Sequence, residues 1–256
     1  MMIGAKTPWF WNVVRRPEAR LRLFCFPYAG GSALIFRNWS NYMPEMVEVY
    51  PIQLPGRVGR LYEKPYTNID SLVEAVGQAI VPYLDKPFAL FGHSMGAIIS
   101  YEVARYLRRQ GAGEPAHLFV AGRRAPHIAD DDPPTSMMSE LEFIDHLRRL
   151  DGTPADVLEQ PELMQLVLPF IRADFEMVET YTYIPGSLLS CPISAFGGLE
   201  DYEENRERLE CWREHTTADF SLRMIPGGHF FLHSHETFLL RALVQKLTPS
   251  LTAAWA

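Results

Sequence analysis

The chain has 256 residues, enough for one large domain or two small ones and for a core that needs no disulfide or metal staple. Hydrophobic residues make up 47% and charged residues 21%, which excludes a disordered chain, and the formal charge of −7 argues against broad electrostatic binding of nucleic acid or of anionic membranes. Cys25, Cys191 and Cys211 are odd in number and widely spaced; they fit a reducing cytosol and lack the spacing of a disulfide framework or a zinc site.

In chain order, Met1 to Trp11 is apolar but short and broken by Pro8, so it does not read as a signal peptide, and no later run is long enough to cross a bilayer. The cluster Trp9-Phe10-Trp11 is expected to pack on the domain. Leu21 to Phe26 reads as a strand closed by the loop Pro27-Tyr28-Ala29-Gly30-Gly31, and Val47 to Ile52 as a second strand closed by Leu54-Pro55-Gly56. Ile69 to Leu84 carries apolar residues at a helical period, Phe88 to Phe91 is a third strand, and Met95 to Gln110 is a helix with Arg108 and Arg109 in its last turn and Gly111 just past it. Strands follow at Leu118 to Ala121, Ile193 to Phe196 and Leu222 to Ile225, with helices at Asn205 to Glu214 and Glu236 to Leu247. This alternation predicts an α/β fold, a mostly parallel sheet with helices on both faces and ligands beyond the C-terminal strand ends.

One stretch breaks the rhythm. Residues 130–190 show helical patterns without a convincing strand, after a stiff acidic entry, Asp130-Asp131-Asp132-Pro133-Pro134. Ser139 to Leu150 opens with a capping box, Ser139 and Glu142, while Pro161 to Tyr183 must be kinked or split at Pro169. The whole of 1–256 is therefore expected to be one domain, with 130–190 inserted as a helical lid.

The chemistry centres on Gly92-His93-Ser94-Met95-Gly96, a G-x-S-x-G motif between an apolar strand and a helix. That context is what a nucleophile elbow requires: a sharp turn lifts the serine hydroxyl out of the sheet, with a helix N-terminus beneath it. A serine nucleophile needs a base and an orienting acid, in chain order Ser, Asp or Glu, His. His229, in Pro226-Gly227-Gly228-His229 after the last strand, is the base candidate, with His233 and His235 as rivals. A metal reading of those three histidines lacks a supporting carboxylate or cysteine motif. The acid is expected just after the strand that ends at Phe196, which gives Asp201, with Glu200 as runner-up. Oxyanion N–H groups are expected from Met95 and from Tyr28 or Ala29, since Pro27 has none.

Five blocks occur in order: Phe26-Pro27-Tyr28-Ala29-Gly30-Gly31-Ser32, Leu54-Pro55-Gly56-Arg57, Phe91-Gly92-His93-Ser94-Met95-Gly96-Ala97, Arg172-Ala173-Asp174-Phe175 and Pro226-Gly227-Gly228-His229-Phe230-Phe231. From about Leu21 to Leu247 the chain resembles the type II thioesterases of polyketide and nonribosomal peptide biosynthesis, to which the animal medium-chain acyl thioesterase is similar. The resemblance implies an α/β-hydrolase fold with a helical lid, and hydrolysis of acyl thioesters from the phosphopantetheine arms of acyl or peptidyl carrier proteins. It implies Ser94, Asp201 and His229 as the triad, Met95 and Ala29 as oxyanion donors, and no metal or redox cofactor. Two positions depart from the family pattern: Val58 stands where an acidic residue often follows the L-P-G-R arginine, and Leu199 replaces the first acid of the G-D-x-D block.

The expected enzyme is a cytoplasmic editing thioesterase working through an acyl-serine. Its rivals are a chain-terminating thioesterase, an acyltransferase on the same fold and a silent acyl-binding module. Lid methionines Met137, Met138, Met164 and Met177 would suit varied acyl chains. Tyr28 would meet substrate, and Arg123 and Arg124, or else Arg57 and Arg60, a phosphate or an acidic carrier.

Overall fold

Strand β1 (Leu21–Phe26) is buried along its length, and its alternating side chains explain the layering. Phe24 and Phe26 enter one apolar cluster with helices α1 (Ile69–Ile80) and α2 (Met95–Arg109). Leu21, Leu23 and Cys25 enter another with Phe36, Trp39 and the long C-terminal helix. The two-residue period of a strand thus feeds two cores, one on each sheet face. The computed structural model describes residues 7–129, 134–150, 152–153 and 155–252. The first part of the apolar N-terminus and the acidic run Asp130–Asp132 lie outside them.

The remaining strands are β2 (Val47–Pro51), β3 (Phe88–His93), β4 (His117–Ala121), β5 (Ile193–Gly198) and β6 (Phe220–Ile225), all in parallel pairs in the order β2-β1-β3-β4-β5-β6. The chain runs from β1 outward to β2, then returns past β1 to β3. That reversal makes the β1–β3 seam a topological switch point, where the loops after two neighbouring strands part and leave a crevice. In register, Phe26 of β1 lies opposite Gly92 of β3, so the loop after β1 and the elbow after β3 emerge side by side.

Between β4 and β5 the insertion supplies α3 (Glu140–Leu150), α4 (Ala155–Leu158) and α5 (Pro161–Glu179). The capping box forms: the Ser139 N–H donates to Glu142 at 2.8 Å, and the Glu142 N–H to Ser139 Oγ at 3.4 Å. Pro169 does not split α5, although it removes one helical N–H. It marks a change in burial instead. Before it, Met164 is the buried residue; after it come Phe170, Ile171, Ala173, Asp174 and Met177. Phe143, Leu147, Met164, Phe170 and Ile171 form a small core of the insertion's own. Its exit is tied to α2, where Arg105 donates to the Ile184 carbonyl at 2.7 Å and Arg108 to those of Ser187 and Leu188 at 2.6 Å.

The chain closes with α6 (Arg206–Glu210), α7 (Phe231–Ser234) and α8 (Glu236–Thr252), the last running beyond the expected end at Leu247. Trp9 and Phe10 pack on the main core as expected. The backbone bonds Trp11 N–H to Pro51 O and Gln53 N–H to Trp9 O cover the outer edge of β2, which would otherwise be open to another strand.

Buried histidines make the fold acid-sensitive. Burial, with the charge of Lys246, pushes His117 down to about 4; burial, with His127 and Arg105, does the same to His215. In the unfolded chain both titrate near 6.5. Between these values the unfolded state holds more protons, so stability falls as pH drops from 6.5 toward 4. Thermal melts across that range should show a falling Tm, and His117→Gln should flatten the slope.

Candidate active site

Ser94 sits at the turn from β3 into α2 with φ 54° and ψ −118°, a left-handed conformation rare for a residue with a side chain. Its N–H donates to Ala121 O on β4 at 2.8 Å. Two glycines make the turn sterically feasible. A Cβ on Gly92 would lie 1.9 Å from Gly96 O, and one on Gly96 would lie 2.3 Å from Phe26 O. The start of α2 therefore presses against the ends of β1 and β3, and the half-exposed serine crowns the helix N-terminus.

His229 follows β6, after a turn in which Gly227 takes φ +103°. Its Nδ1 lies 2.7 Å from Asp201 Oδ2. The Asp201 carboxylate is buried and also accepts the Glu204 N–H at 3.1 Å. Burial would raise its pKa, but the His229 hydrogen bond and charge and the Glu204 and Glu203 amides outweigh it and hold the carboxyl below its ordinary value. The His229 ring lies 5.2 Å from that of His93, the residue before Ser94, which puts the histidine beside the elbow. His93 is fully buried, which drives its pKa far down and keeps that ring neutral.

The rival residues go elsewhere. Glu200 is exposed, and its N–H donates to Gly227 O. His233 Nε2 meets Tyr28 Oη at 2.9 Å, and His235 Nδ1 meets Ser234 Oγ at 2.9 Å. With His229 on Asp201, the three histidines do not gather as ligands. Among the described residues, the metal-type side chains that come together are His127, Cys211 and Glu214.

On the loop after β1, the Gly30 N–H is held by Asp174 Oδ2 at 2.8 Å and the Gly31 N–H by Tyr28 O at 2.9 Å. With those two committed, Tyr28 and Ala29 remain the loop's candidate donors opposite Met95. The Tyr28 side chain is largely buried, its hydroxyl bonded to His233 and its pKa pushed up to about 12 by burial. It forms part of the floor under the histidine loop.

A family comparison decides the class. The thioesterase domain family matches residues 21–247. The chain belongs to that family. It is 44% identical over 245 residues to the gramicidin S biosynthesis protein GrsT of Aneurinibacillus migulanus, covering 96% of each chain. Among solved structures it is similar to RedJ, the thioesterase of the prodiginine biosynthetic pathway in Streptomyces coelicolor, with a TM-score of 0.83, 42% identity and 91% and 93% of the two chains covered. It is also similar to BorB, the type II thioesterase of the borrelidin biosynthetic cluster, with a TM-score of 0.85, 34% identity and 95% and 100% covered. The protein is thus a thioester hydrolase of the α/β-hydrolase fold.

The arginines of this thioesterase overturn one expectation. Arg124 is 3% exposed, and its Nε and N–H both bind the buried Glu204, at 3.0 and 2.7 Å. Arg123 Nη1 lies 3.5 Å from the same carboxylate. Because Glu204 also donates its N–H to Asp201, these arginines brace the acid loop from inside and do not form a free surface patch for a phosphate or carrier. That brace, with the Leu199 N–H on Ile225 O, holds the loop although Leu199 lacks the family's acid. Arg57 and Arg60 are buried too, the first paired with Asp174 and the second with Glu63.

The methionines do not share one pocket. Met177 lies in the main core, Met164 in the insertion's core, and Met137 is 84% exposed. A groove of about 660 Å³ runs between α3 and α5, lined by Leu141, Ile144, Met164 and Leu168; Ser94 does not line it.

Sequence reasoning missed the role of Asp174. Its signal was present: Phe170, Asp174 and Met177 recur at helical spacing, and a carboxylate on an apolar helix face needs a buried cation.

Proposed function

We propose that this thioesterase edits stalled synthases by hydrolysing acyl groups from carrier-protein phosphopantetheine arms, with Ser94 as nucleophile, His229 as base and Asp201 as its orienting acid. The observation that carries the reading is the 2.7 Å contact of His229 Nδ1 with Asp201, on a histidine beside a strained serine elbow. The carboxylate fixes the tautomer with Nδ1 protonated, leaving Nε2 to accept a proton. Ser94 Oγ attacks the thioester carbonyl as its proton passes to His229. The C–S bond breaks, and His229 returns the proton to the departing thiolate. Water then attacks the acyl-serine, losing its proton to His229, which hands it to Ser94 as the acid leaves. The Met95 and Ala29 N–H groups carry the developing oxyanion. The names of GrsT, RedJ and BorB support a biosynthetic setting. The enzyme would work in the cytosol beside its carriers; among the described residues no helix is long and apolar enough to cross a membrane.

Intact-mass assays on acyl-loaded carrier proteins test this directly. Carrier-bound thioesters should be hydrolysed with kcat/KM at least about tenfold above the same acyl group on a small thiol, because remote contacts position the carbonyl. Equal efficiency on both would point to a free acyl-thioester hydrolase. Arg124→Glu should impair both substrates alike, since it breaks the brace behind Asp201.

The insertion caps the site in this reading. Hydrogen exchange should be faster in α3 and in residues 161–168 than in the sheet, whereas 170–179 should be as slow as α2, because most of the buried side chains of α5 follow Pro169. Uniform protection along α5 would count against a mobile cap.

A further inference from the structure

Asp174 of α5 and Arg57 of the loop after β2 meet behind the loop after β1. The guanidinium grips the carboxylate with both arms, Nη1 to Oδ2 at 2.6 Å and Nη2 to Oδ1 at 2.7 Å. Asp174 is 1% and Arg57 3% exposed. Both also hold the glycine loop: Asp174 Oδ2 accepts the Gly30 N–H at 2.8 Å, and Arg57 Nη1 donates to Gly31 O at 2.9 Å. Arg57 is itself fixed by Pro55 O, by Gln53 on its carbonyl and by the Phe170 ring 4.5 Å from Cζ.

Stability alone does not account for this arrangement. A buried ion pair is a weak stabiliser that well-packed apolar side chains often replace without loss. What apolar side chains cannot do is hold an N–H and a C=O of the same loop in place. Gly30 has φ +78°, a conformation that a free glycine leaves readily. It directly follows Ala29. Beside Arg57, Val58 sits at φ 52°, an outlier for a β-branched residue that survives only where the surroundings over-determine the backbone. Paired with the guanidinium, the carboxylate presents no net negative charge to an oxyanion forming nearby.

We propose that Arg57 and Asp174 are positioning residues that hold the oxyanion loop in its catalytic geometry and couple it to the inserted helices. The inference rests on the serine mechanism above, with Ala29 as a donor. Oxyanion stabilisation depends on donors that need no reorganisation during reaction, so slackening the loop should cost kcat and spare KM.

The test is the double variant Arg57→Met/Asp174→Leu, which keeps the site apolar and filled but removes both loop anchors. It should melt near the wild type, with kcat about a hundredfold lower, KM within about threefold and acyl-enzyme formation slowed by the same factor. Arg57→Lys keeps the charge but loses the fork, and should cost about tenfold in kcat with KM again spared. A folded double variant with kcat within about threefold of wild type, or with only KM changed, overturns the proposal. If the double variant does not fold, Arg57→Lys decides by the same criteria. Fluorophosphonate labelling separates the two levels of inference. A wild type that does not label at Ser94 faults the nucleophile assignment, whereas a wild type and variants that label at equal rates fault the positioning role.

Discussion

Ser94→Ala and His229→Ala are each expected to lower kcat by about four to six orders of magnitude, with little change in thermal stability. Neither substitution opens a cavity in the core, so the loss would be chemical. Without the hydroxyl there is no acyl-enzyme; without the imidazole the serine keeps its proton. Asp201→Asn should cost somewhat less, about four orders, because an amide turns the wrong tautomer of His229 toward the serine. Glu200→Gln should be nearly silent, since Glu200 is exposed and the contact to His229 belongs to Asp201. The measurement is single-turnover hydrolysis of an acyl-loaded carrier protein. Near-full activity of Asp201→Asn with loss in Glu200→Gln would reassign the acid.

Gly92→Ala is expected to destabilise the fold severely rather than to act on the chemistry. Its new methyl would stand 1.9 Å from the carbonyl oxygen of Gly96, a backbone atom at the start of α2 that cannot swing aside. Relief requires moving α2 off β3, where Ala97, Ile98 and Ile99 enter the main core. A destabilisation of at least about 4 kcal/mol follows, a large share of the roughly 5–15 kcal/mol by which native domains are stable. Gly59→Ala is the control. Nothing stands within 4 Å of its added methyl, so its effect should stay within about 0.5 kcal/mol. Denaturant melts of the two variants give the comparison; a Gly92→Ala protein with wild-type stability would mean that the close approach of α2 is not what demands the glycine.

Much of this enzyme was legible in its sequence, for a local reason. Strand and helix positions follow from apolar periodicity and from glycine and proline punctuation, so β1 to β6 and α2 lie close to where the pattern puts them. The elbow at Ser94 was legible because its strand, turn and helix start all lie between Phe88 and Ala97, although Phe26 and Ala121 of the neighbouring strands complete it. His229 and Asp201 were legible as the residues that follow parallel strands, since such loops share one edge of the sheet. The sequence ranked Asp201 above Glu200, but the contact that separates them was not visible in it. Asp201 and Glu200 are neighbours in one loop, and their fates were separated by its closure: Glu200 is turned outward with its N–H on Gly227, while Asp201 is folded in beneath His229.

The charged residues that brace the site needed the tertiary structure. Arg57 is 117 residues from Asp174, and Arg124 is 80 from Glu204. An arginine after a strand looks the same in sequence whether it faces water or a buried carboxylate, and only the docking of α5 and of the acid loop decides which. The expectation of a free arginine patch at Arg123 and Arg124 failed on that point. By itself, then, the sequence determined the elements, their alternation and the serine elbow, because periodicity and turn chemistry act over a few residues. Which of the two neighbouring acids meets His229, and the pairings of Arg57 with Asp174 and of Arg124 with Glu204, were decided by packing between segments far apart in the chain. There a desolvated charge must find its partner, and local pattern carries no record of where that partner is.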